Sequence, residues 1–238
     1  KTGLEEFKNV RRSGLIAISL KRGDELRGVR KTTGEDEILL VTKKGQAIRF
    51  KEKDVRAMGR TAAGIRGIRL KKGDEVQSID VATPLKDSAQ QVLVVMENGF
   101  GKKTDLKEYR LQSRGGSGIK TANITPKTGS VVYAKVLQGQ EEDLIVISRK
   151  GIVIRTALNS VATISRSTQG VRITRLAEGE LSEKAETVLA RIYYSAFRDF
   201  VNGVVMAIKN FTPGRGRKTL PIYLRTFFPT PESVYRKQ

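Results

Sequence analysis

Short apolar runs closed by glycine turns recur along the first three quarters of the chain. Leu39-Leu40-Val41-Thr42-Lys43-Lys44-Gly45, Val92-Leu93-Val94-Val95-Met96-Glu97-Asn98-Gly99 and Leu144-Ile145-Val146-Ile147-Ser148-Arg149-Lys150-Gly151 align column by column, their turn glycines 54 and 52 residues apart. Downstream, Gly64-Ile65-Arg66, Gly118-Ile119-Lys120 and Gly170-Val171-Arg172 repeat with the same two spacings. A fixed period of this size, built of short apolar runs between glycine turns, predicts an all-β propeller or pinwheel. The clearest unit reads as four strands. Ile38–Val41 is the first, and Lys43-Lys44-Gly45 turns it, glycine supplying the positive φ. Gln46–Phe50 returns with period-two alternation, Ile65–Leu70 alternates strictly, and Val76–Ile79 comes back after Lys71-Lys72-Gly73-Asp74.

The chain opens inside a unit. Lys1-Thr2-Gly3-Leu4-Glu5-Glu6-Phe7 matches Lys103–Tyr109, and Lys21-Arg22-Gly23-Asp24-Glu25-Leu26 matches Lys71–Val76. The expected organisation is a partial blade at 1–34, blades at 35–84, 85–138 and 139–192, and an irregular tail at 193–238. That makes about four blades, one of them partial. Val188–Ile192 is expected to be the returning strand of the last blade, after the turn at Ala177-Glu178-Gly179-Glu180. The tail holds nine of the 14 aromatic residues and four of the six prolines, with no echo of the period. A lineage-specific extension, a disordered basic segment and sequence foreign to the native frame all fit it.

Charge changes the picture. The 238 residues carry 45 Lys and Arg against 25 Asp and Glu, a net charge of +20. An excess of that size favours polyanion partners, nucleic acid first and an anionic membrane surface second. The cations are periodic. Lys1, Arg49, Lys103 and Arg155 end the second strand of the hairpin; Arg60, Arg114 and Arg166 precede the connecting glycine; Arg66, Lys120 and Arg172 open the next strand, with Arg69 beside Arg66. Ile16 interrupts the last column in the first unit. A single such residue most often belongs to a solvated strand face. Three columns in register predict a cationic rim that tracks a phosphate backbone. Contacts of that kind position DNA without reading its bases.

Other chemistries are narrowed or removed. The chain has neither Cys nor His, which excludes thiol nucleophiles, disulfides and His-dependent triads. Gly115-Gly116-Ser117-Gly118 is followed by no helical pattern, Gly214-Arg215-Gly216-Arg217-Lys218-Thr219 lacks the spacing of a phosphate loop, and Gly64-Ile65-Arg66-Gly67 sits inside a strand repeat. Phe50 and Tyr109 are placed for packing. No secretory leader is recognisable at Lys1–Glu6, and the longest apolar run, 201–208, is far shorter than the roughly 20 residues of a spanning helix. A soluble, cytoplasmic protein is expected.

Glu37–Val41, Val55-Arg56-Ala57-Met58-Gly59-Arg60, Gly64-Ile65-Arg66-Gly67-Ile68-Arg69-Leu70, Lys1–Val29 and Ser165–Val171 closely resemble the C-terminal domain of the DNA gyrase A subunit family, over about residues 1–181. The resemblance implies a six-bladed β-pinwheel whose neighbouring blades exchange strands. It also implies a domain that binds double-stranded DNA and wraps it around its rim, supporting ATP-driven negative supercoiling with the B subunit in an A2B2 holoenzyme. ATP and magnesium then belong to other domains, and no cofactor is expected in this stretch. The family's wrapping motif, Gln-Arg-Arg-Gly-Gly-Lys-Gly, has its nearest string here at Gln112-Ser113-Arg114-Gly115-Gly116-Ser117-Gly118. It keeps Gln112, Arg114, Gly115, Gly116 and Gly118 and has serine at the two remaining places. None of the six tyrosines lies in the family's catalytic motif, so no nucleophile is assigned. Two alternatives stay open: the equivalent domain of topoisomerase IV, and a basic propeller that serves as a protein-interaction platform.

Overall fold

The apolar runs of the first two sheets are buried along nearly their whole length because their central strands are covered on both faces. In β1 (Glu37–Thr42) every residue is buried, and in β4 (Gln91–Met96) all but the first. Leu39 and Val41 pack with Val92, Val94 and Met96 of the next sheet, while Ile38 and Leu40 face Ile48, Phe50 and Ile68. Leu93 and Val95 pack in turn against Leu144, Val146, Leu158 and Val161. A strand covered on both faces requires a continuous apolar run, where a half-exposed one requires alternation. Each such side chain contributes about 1.5–3 kcal/mol when removed from water, so a blade is stabilised mainly by its neighbours.

The computed structural model describes residues 1–10, 14–83, 90–139, 143–148, 153–174 and 189–193. Three antiparallel sheets form among them. In the first, β1 lies between β2 (Gln46–Lys51) and β3 (Val76–Ala82), with Leu40 opposite Ile48 on one side and Ile79 on the other. In the second, β4 lies between β5 (Phe100–Asp105) and β7 (Val131–Leu137), with Val94 between Lys102 and Ala134. The third joins β8 (Asp143–Ile147) to β9 (Val153–Ala157) and β11 (Leu189–Tyr193). A register shift recurs at Val41/Thr42 and at Val95/Met96, so even the irregularity follows the period.

The fourth strand of a sheet comes from the following unit. β6 (Ile119–Lys120) pairs with β2 of the preceding sheet, and β10 (Val171–Arg172) pairs with β5. The resulting orders are β3-β1-β2-β6 and β10-β5-β4-β7. At the opposite edge, the equivalent strands β3 and β7 pack together. There the Ala134 amide donates to Ser78 Oγ at 3.0 Å, the Val136 amide to Asp80 Oδ2 at 2.8 Å, and Gln77 Nε2 to the Val132 carbonyl at 2.9 Å. Edge-strand groups are thereby satisfied by side chains, which blocks further sheet growth. The inner edge is closed, and β6 and β10 form the outer edge.

Two expectations need correction. Ile65–Leu70 is not a strand: its equivalent Ile119–Lys120 pairs with Gln46–Ala47, whereas Ile65 and Arg66 have no strand partner among the described residues. Nor does each unit supply all four strands of its own sheet: the first two sheets are each completed by their successor, the exchange that the resemblance implies. Residues 1–34 form one short 3-10 turn, Leu4–Phe7, and no strand among the described residues. They dock on the second unit through Arg30 and Asp80 and through Ser19, whose Oγ donates to the Thr61 carbonyl. Leu4, Val10, Ile16, Leu20, Leu26 and Val29 face solvent. The returning strand expected at Val188–Ile192 is β11. By contacts the chain divides into units 1–195 and 196–238. The second unit, with the tail expected past 193, lies outside the described residues, as do the turns expected at Lys150-Gly151 and Gly179.

Candidate nucleic-acid interface

The first column of cations is largely neutralised. Arg49 is 16% exposed and donates through Nε to Glu37 at 2.6 Å. Its Nη1 donates to the carbonyls of Leu106 and Tyr109, both at 3.0 Å, tying two units together. Arg155 pairs with Asp143 in the same way. Lys1 pairs with Glu52 at 3.2 Å. Burial pushes the Glu52 carboxyl up, but donors from Thr32, Lys1 and the Gly34 amide outweigh it and hold it below the ordinary carboxylate range. Lys103 is the exception. The acid stands 12 residues before Arg49 and Arg155, whereas Gln91 occupies that place here, and Lys103 has no ion pair among the described residues.

Arg49 is therefore predominantly a structural clamp. Replacing it with Leu leaves Glu37 buried and unpaired, a change that typically costs about 3–5 kcal/mol. Thermal melting is expected to show a fall of roughly 6–20 °C for a chain of this size. Polyanion binding, titrated against salt below that transition, is expected to keep its salt dependence.

The second column is a row of staples. Arg60 Nη1 donates to the Ile16 carbonyl at 3.0 Å, Arg114 Nη1 to the Arg66 carbonyl at 2.5 Å, and Arg166 Nη1 to the Lys120 carbonyl at 2.7 Å. Each acceptor is the third-column residue of the preceding unit. Ile16 performs this duty with its backbone, so its lack of charge does not break the pattern. Arg114 also reaches the Asp54 carbonyl, and Glu108 accepts from the Arg166 amide at 3.1 Å.

The third column is exposed and carries free charge. Arg66, Lys120 and Arg172 have no ion pair among the described residues, and Lys120 and Arg172 stand on the outermost strands β6 and β10. Among the described residues Lys120 Nζ donates only to Asn123 Oδ1, and the Arg172 guanidinium lies 4.9 Å from the Phe100 ring centre, a contact that orients it without cancelling its charge. Arg69 is likewise exposed, but Asn123 occupies its equivalent place in the next unit.

A fourth row escaped the sequence reading. Lys8, Arg56 and Arg110 each follow a short 3-10 turn, at spacings of 48 and 54 residues. All three are exposed and none has an ion pair among the described residues. The signal was in the sequence as a basic residue seven places after Lys1, Arg49 and Lys103; Ala162 ends the row after Arg155. Strand exchange then puts the two rows on the same sheets: Lys120 belongs to the sheet that Arg56 follows, and Arg172 to the sheet that Arg110 follows.

The motif-like string is built into the exchange. The Gln112 amide donates to the Arg49 carbonyl at 2.8 Å, the Gly115 amide to the Gly67 carbonyl at 2.7 Å, and the Gly116 carbonyl accepts from the Arg69 amide at 2.8 Å. Gly118 opens β6. Gln112, Arg114, Gly115 and Gly116 face their neighbours, whereas the two places that depart from the family motif, Ser113 and Ser117, are the exposed ones. The string thus keeps the structural half of the motif and lacks the two outward cations. No cluster of three or more Asp or Glu among the described residues is arranged to hold a metal ion, and no helix among them is long and apolar enough to cross a membrane.

Fold and site define an all-β propeller with exchanged outer strands and a basic outer edge. The family model described as DNA gyrase C-terminal domain, beta-propeller, matches residues 1–33, 36–83, 90–138 and 142–181, and the chain belongs to that family. The DNA gyrase A subunit of Staphylococcus epidermidis is 45% identical over 180 residues, which are 76% of this chain and 20% of that subunit. The chain therefore spans about a fifth of the length of the curated relatives it matches. The solved C-terminal domain of a DNA topoisomerase IV is 26% identical with a TM-score of 0.67, covering 73% of this chain and 53% of that one. A solved C-terminal domain of DNA gyrase A is also 26% identical, with a TM-score of 0.63, covering 70% and 56%.

Proposed function

We propose that the chain binds duplex DNA along its outer edge without reading sequence, and bends it around that edge. Within a gyrase this wrapping supports ATP-dependent negative supercoiling in the cytoplasm, together with the B subunit, while ATP and magnesium act in other domains. One observation carries the reading: after strand exchange, the described sheets with an outer strand each hold an exposed, un-neutralised cation from both free rows, Arg56 with Lys120 and Arg110 with Arg172. Lys8 and Arg66 are the sequence equivalents of that pair one unit earlier, both exposed and without an ion pair among the described residues. A duplex carries one negative charge per ~1.7 Å of axis, so a regular row of cations displaces counterions at successive phosphates. The 45% identity to a gyrase A subunit favours gyrase over topoisomerase IV.

Relaxing a nicked and religated plasmid in the presence of the chain tests wrapping. A shift in linking number that grows with protein concentration is expected. No shift would remove the wrapping claim, and weak, salt-insensitive binding would favour a protein-interaction platform instead.

A further inference from the structure

Lys102 is the one lysine among the described residues that is wholly buried. Its ammonium donates to the carbonyls of Ser165 at 2.8 Å, Arg166 at 2.5 Å and Thr168 at 3.0 Å, with Thr168 Oγ1 at 3.1 Å. Nothing about building a blade requires this cation, because the equivalent places are Ile48, also wholly buried, and Ile154. The blades of Ile48 and Lys102 solve one local problem in different ways. Over Ile48 the loop is Ser113-Arg114-Gly115-Gly116, and a Cβ on Gly116 would lie 3.7 Å from Ile48 Cδ1. That loop is stitched by the Gly115 amide to Gly67 and by the Arg69 amide to Gly116. Over Lys102 the loop is Ser165-Arg166-Ser167-Thr168. It keeps the second stitch, from the Asn123 amide to the Thr168 carbonyl at 3.0 Å, and the ammonium supplies the rest. Charge-assisted bonds of this kind are about twice as strong as neutral ones.

We propose that Lys102 is a positioning residue: it pins the Ser165–Gly170 loop and so sets β10, which carries Arg172 in the outer cation row. The pin and the strand are contiguous, since Val171 pairs with Gly101, the neighbour of Lys102, and Arg172 with Phe100. Two charged groups act on Lys102. Glu108, which holds the Arg166 amide, favours its charged form, and Arg166 opposes it; burial, the largest influence, pushes the amine down to about 8. Tyr109, pushed up to about 12 by its own burial, stays neutral alongside.

This inference rests on the outer edge being the DNA-binding edge, and the experiment separates the two. In the full chain, Lys102→Ile is expected to reduce the salt slope of duplex binding by about one contact, as Arg172→Ala does. The double variant is expected to lose no more than either alone. Lys102→Ile combined with Ser167→Gly and Thr168→Gly, which copies the Ile48 solution, is expected to restore the slope, and it serves as the folded comparison where Lys102→Ile alone is unstable. Independently of DNA, amide exchange at Arg166 and Thr168, whose amides are hydrogen-bonded, is expected to be slow in the wild type, fast in Lys102→Ile and slow again in the triple variant. Additive losses with Arg172→Ala, or unchanged exchange in Lys102→Ile, would overturn the role of Lys102. Wild-type protein that fails to bind duplex would overturn the functional reading while the exchange result still decided the pin.

Discussion

Replacing Lys8, Arg56, Arg110, Arg66, Lys120 and Arg172 with Gln is expected to abolish the salt-sensitive part of duplex binding. Each neutralised phosphate contributes about 0.9 to the slope of log affinity against log salt. Six contacts therefore predict that the slope flattens by about 5. The same six account for roughly a thousandfold affinity change between 50 and 200 mM salt in the wild type, and the variant is expected to show almost none of it. The effect is large because these side chains meet no carboxylate among the described residues. Fold stability is expected to change little, since exposed substitutions away from special features usually stay within about 0.5 kcal/mol. Fluorescence anisotropy of a labelled duplex across a salt series, with a thermal melt of each protein, measures both.

The second large effect concerns the exchanged strand. Gly118 has φ +73°, and a Cβ there would lie 2.5 Å from the Ala47 carbonyl oxygen; Gly170 has φ +79° and meets the Gly101 carbonyl at 2.8 Å. Backbone oxygens cannot move aside as a flexible side chain does. Valine at either place combines that clash with a left-handed conformation that by itself costs about 1–3 kcal/mol. Gly118→Val is expected to detach β6 from β2, exposing the Gln46 and Ala47 edge and removing Lys120 from its row. A melting temperature lower by roughly 6–12 °C is expected for about 3 kcal/mol in a chain of this length, together with fast amide exchange at Ala47 and weaker DNA binding. Gly139→Ala is the control: Gly139 has φ +84° with nothing within 4 Å of its absent Cβ, so only the conformational cost of about 1–2 kcal/mol applies.

Much of the fold was legible because it is periodic. The hairpins β1–β2 and β4–β5 follow from apolar runs and turn glycines. The origin of the outer strand was not visible in the repeat itself, because alignment identifies equivalent residues and says nothing of which copy they pair with. Ile65–Leu70 looked like a strand for that reason. The site was legible in part. A periodic cation reads alike whether it is free or paired, and only the surroundings separate Arg66 from Arg49. One clue was present: an acid 12 residues before Arg49 and Arg155, reached diagonally across the hairpin, and its absence before Lys103. Lys102 had its own clue in strand parity, since it shares the inward places of Ile48 and Ile154. The staples of Arg60, Arg114 and Arg166 left no such trace, because their acceptors are backbone carbonyls.

The distinction between free and committed cations can be measured with two variants that remove equal charge. One replaces Arg66, Lys120 and Arg172 with Gln, and the other replaces the ion-paired Lys1, Arg49 and Arg155 with Gln. Duplex affinity is compared across a salt series at a temperature where both remain folded. The salt slope is expected to flatten by about 3 in the first variant and to stay at the wild-type value in the second. Equal flattening in both would show that bulk positive charge, and not the outer row, holds the DNA.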